Sequence, residues 1–173
     1  KYIQREAVWK YLVADPAGAG PPPGWSLPES SAPGFLEGRA GFGYGDEDDY
    51  TEVPPGTNAV FIRREFEVAN PDDLDSLILQ IDYDDGFVAY LNGTRVAAVN
   101  GPSGNPVFSS FATGSHEAGR PERFNLTPHL GRLRPGANVL GIVGLNISAG
   151  SSDMTLHPEL GVIPLILHTS FSL

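Results

Sequence analysis

The chain has 173 residues, with 21 Asp and Glu against 11 Lys and Arg, a formal net charge of −10 at neutral pH, and no cysteine. That length suits one domain with a real core. The acidic balance argues against nucleic acid, whose phosphates reward clustered Lys and Arg, and the missing cysteines exclude disulfides, zinc–thiolate sites and thiol nucleophiles. No apolar stretch is long enough to cross a bilayer and no signal peptide is visible. The first residue, Lys1, is not Met, which points to processing or to excision from a longer chain.

Helical periodicity is nearly absent. Short apolar runs rich in Val, Ile, Phe and Tyr alternate with Gly, Pro, Asn and Asp clusters, the pattern of many short strands. "EAVWKYLVA" (6–14) is the first predicted strand, followed by the stiff loop "DPAGAGPPPGW". Residues 25–49 read mostly as loop, with a short strand at "GRAGFGYG". In "AVFIRREFEV" (59–68), Val60, Ile62, Phe66 and Val68 share one face and Phe61, Arg63, Glu65 and Glu67 the other. Arg64 therefore falls on the apolar side. "SLILQIDYD" (76–84) aligns Leu77, Leu79, Ile81 and Tyr83. "GFVAYL" and "TRVAAV" flank Asn92-Gly93, a dipeptide suited to the positive φ angles of a type I′ hairpin turn. A long loop with a weak strand at "VFSSFA" precedes a short strand, a helical turn and a buried strand from Asn138 to Ile147. "DMTLHPELGVI" and "LILHTSFSL" close the chain as strands. Eight to ten antiparallel strands predict a jelly-roll β-sandwich over residues 1–160, with a barrel as the alternative fold. Residues 161–173 add a C-terminal strand, either to the same domain or to a neighbouring subunit.

The order "FIRREF", "DDGFVAYLNG" and "RPGANVL" resembles the galactose-binding-domain-like jelly rolls, modules appended to bacterial surface and secreted proteins and to glycoside hydrolases. The likeness spans roughly residues 8 to 160. It departs at Phe35, where relatives usually carry a tryptophan, and beyond Leu160, where they usually stop. It implies an extracellular or cell-surface, non-catalytic accessory module that binds a polysaccharide or glycan. The rival class is a structural subunit of a surface layer or filament, joined through sheet edges to other domains or to copies of itself.

Three aspartates, Asp82, Asp84 and Asp85, head the hairpin. A carboxylate pair could serve glycoside hydrolysis, and hard oxygen ligands could hold a metal. The third reading is structural, with Arg64 needing a carboxylate because a guanidinium buried without one is costly. This structural corner is the expectation taken forward. The loop "GYGDEDDYT" places Asp46, Asp48 and Asp49 together. The resemblance implies a structural calcium in such loops, and a solvated acidic loop is the plain alternative. Trp25, Tyr44 and Tyr50 lie in loops and are the candidate sugar-stacking aromatics, whereas Trp9 belongs to a strand and to the core. Ser151, Ser152, Asp153 and the four histidines lack nucleophile-elbow or metal-ligand spacing, so no catalytic residue is assigned. Asn92, Asn125 and Asn146 each begin an N-x-S/T sequon.

Overall fold

The computed structural model describes residues 1–47 and 49–162. Its strands are β1 (Val8–Val13), β2 (Leu36–Arg39), β3 (Phe42–Tyr44), β4 (Thr51–Glu52), β5 (Ala59–Val68), β6 (Ile78–Asp84), β7 (Gly86–Leu91), β8 (Thr94–Val99), β9 (Glu122–Asn125), β10 (Gly136–Leu145) and β11 (Met154–Gly161). They form a six-stranded sheet in the order β2-β1-β5-β10-β7-β8 and a five-stranded sheet in the order β4-β3-β11-β6-β9. All pairings are antiparallel except β3 with β4. The fold is an all-β sandwich, as the sequence predicts.

The long strands β5 and β10 lie side by side in the six-stranded sheet, in register from Ala59↔Leu145 to Val68↔Gly136. Their inward side chains, Val60, Ile62, Phe66, Leu140 and Ile142, meet Leu79, Ile81, Tyr83 and Leu156 of the opposing sheet in the main core. The β7–β8 hairpin turns at Asn92 and Gly93, with φ of 49° and 80°, as the sequence predicts. Positive φ at both central residues matches the twist of the flanking strands.

A second core covers the outside of the six-stranded sheet. Phe61, Val88, Tyr90, Val143 and Leu145 point outward and are covered by Trp25, Phe35, Phe108 and Ala112 from two long loops. This explains why "GFVAYL" and "VLGIVGL" are continuously apolar instead of alternating: both of their faces are buried. The weak strand expected at "VFSSFA" is instead loop, and Phe108 and Ala112 there act as plugs on the sheet. Of the predicted C-terminal segment 161–173, only Gly161 and Val162 fall within the described residues.

The outer face of the five-stranded sheet is also buried, but polar. Asp82, Asp84, Thr155, His157 and Glu159 are all under 10% exposed. The N-terminal segment lies over part of them: Lys1 pairs with Glu159 at 2.5 Å and Arg5 faces Asp82 at 3.8 Å. Burial, and next the charge of Arg5, lowers the pKa of His157 below the ordinary histidine value.

Candidate functional site

The acidic corner is built into the scaffold, though not through Arg64. Asp85 is 3% exposed. Its carboxylate accepts the N–H groups of Ile147 at 2.7 Å and His116 at 3.1 Å. Asp82 accepts the Gly119 N–H at 2.8 Å and has Arg5 as its cationic neighbour. The expected tie between this corner and Arg64 does not form. Arg64 is half-buried and its Nη1 donates to the Val8 carbonyl. The fully buried guanidinium is that of Arg63, on the opposite face of β5. Period-2 alternation gave the right face for each arginine. Burial of the outer face reversed which of the two is enclosed.

Asp84 sits among like charges. One of its oxygens and one each of Glu117 and Asp153 lie within 4.8 Å of one another. Burial first, then the charges of Asp85, Asp153 and Glu117, push its pKa up to about 7. Two carboxylates so close favour sharing a proton over double ionisation. The loop candidates behave differently. Asp46 accepts the Thr155 hydroxyl at 2.9 Å. Asp49 packs over Gly43, where a Cβ would stand 2.6 Å from its Oδ2. Asp48 lies outside the described residues. Among the described residues, the carboxylates that gather as a possible ligand set are therefore those of residues 84, 117 and 153, not those of the 46–49 loop.

The three aromatic candidates do not converge. Tyr44 is buried, donates to the Ser151 carbonyl at 3.1 Å and accepts from Asn146 at 3.0 Å, so it is committed to the scaffold. Tyr50 is exposed, and the Arg39 guanidinium lies 3.9 Å from its ring centre, which occupies one face. Trp25 is half-buried on the other sheet. Its ring packs edge-on to Phe61 and Tyr90, at centroid distances of 5.5 and 5.9 Å, and stacks on Phe35 at 6.2 Å.

Trp25 also borders an open cleft of about 400 Å³, together with Pro21, Pro22, Leu27, Tyr90 and Asn105. The Pro/Gly-rich loop forms one wall and the 105–107 loop another, both resting on the second core. Gly141 lets the indole lie against β10, since a Cβ there would stand 2.9 Å from Trp25 Cζ3. The Tyr90 hydroxyl donates to Asn105 Oδ1 at 3.0 Å, which fixes the amide at the rim. Sequence reasoning missed Tyr90 and Asn105. Tyr90 reads as one more apolar strand residue, and no local signal brings the loops around residues 25 and 105 together.

The sequons divide by environment. Asn146 is fully buried. Asn92 spends its amide on Arg132 and Asn138. Asn125 is exposed.

No protein-family profile matches the chain, and no curated protein matches it. Solved structures do match. The β-glucuronidase of Bifidobacterium dentium, complexed with coumarin-3-O-glucuronide, aligns with 84% of this chain at 21% identity and a TM-score of 0.52. The Ruminococcus gnavus β-glucuronidase aligns with 82% at 16% identity and a TM-score of 0.51. A β-glucuronidase from an uncultured Clostridium species aligns with 82% at 18% identity and a TM-score of 0.50. At these identities the likeness establishes a shared sandwich fold, one that fits the galactose-binding-like resemblance. This chain spans about a fifth of each of those enzymes: 20%, 20% and 21% of their lengths.

Proposed function

We propose that the chain is a non-catalytic accessory module that binds carbohydrate in the cleft bordered by Trp25, Tyr90 and Asn105. The observation that carries this reading is the cleft itself: about 400 Å³, walled by aromatic and proline rings, with an amide fixed at its rim. Pockets of this size with apolar walls and a few placed polar groups suit small ligands. A sugar offers an apolar C–H face to such rings and hydroxyls to such an amide. The rings rest on a sheet buried on both faces, so the site needs little ordering on binding. Support also comes from the company the fold keeps, since the matching solved structures are β-glucuronidases in which a similar sandwich is one part. An accessory role agrees with two of the three corner carboxylates, Asp82 and Asp85, being consumed by backbone N–H groups.

Affinity electrophoresis against a panel of neutral and acidic polysaccharides tests the proposal. Retardation on at least one gel is expected, falling about fivefold in affinity in Tyr90→Phe and Asn105→Ala, in line with the loss of one hydrogen bond. Melting curves of both variants establish that the fold is intact. Migration unchanged on every polysaccharide would refute the reading, as would retardation indifferent to both substitutions.

A further inference from the structure

Strands β1 and β5 separate beyond the Lys10↔Arg63 pair. Val8 and Trp9 continue pairing only with β2, while β5 runs on beside β10. The parting opens a cleft of about 290 Å³ lined by Trp9, Lys10, Glu37, Arg63, Arg64 and Glu65. Three of the chain's 11 basic side chains meet here, giving this lining a surplus of one positive charge in a protein whose net charge is −10.

These cations are poorly compensated. Arg63 is 1% exposed, yet its Nη2 has only the Leu27 carbonyl at 3.3 Å and the Glu65 carboxylate at 3.4 Å. The Glu65 side chain is 57% exposed, so that long pair is screened and weak. Lys10 Nζ reaches the Ser31 carbonyl at 3.3 Å, and Arg64 Nη1 donates to the Val8 carbonyl. Arg63 Nε, Arg64 Nε and Trp9 Nε1 are buried without a hydrogen-bond partner among the described residues. All three belong to residues lining this one cleft. Two cations elsewhere find close carboxylates: Arg134 meets Glu29 at 2.7 Å and Lys1 meets Glu159 at 2.5 Å. A buried guanidinium with unspent donors is expensive, and an anion would relieve that cost.

The cleft adjoins the aromatic one. Arg63 pairs with Gly141, the residue on which the Trp25 ring lies, and adjacent strands stand about 4.8 Å apart. Leu27 borders the aromatic cleft while its carbonyl accepts from Arg63. We propose that the β1–β5 gap is an anion subsite that takes the carboxylate of an acidic saccharide seated against Trp25. This rests on the carbohydrate-binding reading above and narrows its ligand to uronate-type sugars.

Isothermal titration with galacturonate oligomers, neutral galactose oligomers of equal length and a glutamate oligopeptide tests the subsite. Removing Arg63 could unfold the chain, so the variants are Lys10→Gln and Arg64→Gln, both half-buried positions, each checked by melting. The uronate oligomer should bind about tenfold more tightly than the neutral one at low salt, the worth of one charge-assisted contact. That preference should shrink as ionic strength rises and fall to near unity in either variant. Equal affinity for both sugars overturns the subsite and leaves the aromatic cleft standing. A preference that survives both substitutions also overturns it. Binding of neither sugar overturns the uronate subsite, and the polysaccharide panel then decides the carbohydrate reading separately. Peptide binding as tight as the uronate's overturns the saccharide assignment.

Discussion

The Asp85 carboxylate accepts the Ile147 N–H at 2.7 Å, fastening the residue before β7 to the chain just beyond β10. Its other oxygen takes the His116 N–H at 3.1 Å, so one buried side chain holds three segments far apart in sequence.

Asp85→Ala should therefore cost about 2–4 kcal/mol, because it removes a buried charged acceptor that holds two backbone N–H groups from distant segments. Urea unfolding followed by tryptophan fluorescence measures it. A loss below about 0.5 kcal/mol would mean that the corner is not held this way.

Asp84 predicts a pH dependence of the opposite sense to most carboxylates. Its folded pKa is raised to about 7, whereas an unfolded aspartate titrates near 3.9. Between those values the folded state binds the extra proton, so this contribution to stability is complete below about pH 4 and is lost as pH rises through about 7. Asp84→Asn mimics the protonated form. It should leave the melting temperature nearly unchanged at about pH 3, below the unfolded pKa, and raise it progressively towards about pH 8, by roughly 2–4 °C per kcal/mol gained. A variant that melts lower than the parent at the higher pH contradicts the assignment.

Gly141→Ala should displace the Trp25 ring, because the new Cβ would stand 2.8 Å from Ser26 Cβ and 2.9 Å from Trp25 Cζ3. The expected cost is about 1–3 kcal/mol of overpacking, with a red-shifted fluorescence spectrum and weaker saccharide retention. Trp9, 1% exposed, provides an internal emitter that should not move. Unchanged emission would show that the indole does not rest on β10.

Much of the fold was legible because strands announce themselves locally. The alternation of Val60, Ile62, Phe66 and Val68, and the Asn92-Gly93 turn, need only their own neighbours to be read. The site was less legible. Trp25 was recognisable as a loop aromatic, but Tyr44 carries the same local signature and is spent on Ser151 and Asn146. Tyr90, deep in an apolar run, borders the cleft.

By itself, then, the sequence determined the all-β class, the hairpin, the acidic corner and the absence of thiol chemistry, since each depends on residue type and on contacts within a few positions. Only the tertiary structure decided that Arg63 and not Arg64 is enclosed, that Asp84 faces Glu117 and Asp153, and that two loops roof the outside of the six-stranded sheet. Those outcomes rest on contacts between segments tens of residues apart. Whether a strand face meets water or a loop is set by where distant chain settles, and period-2 alternation carries no information about that.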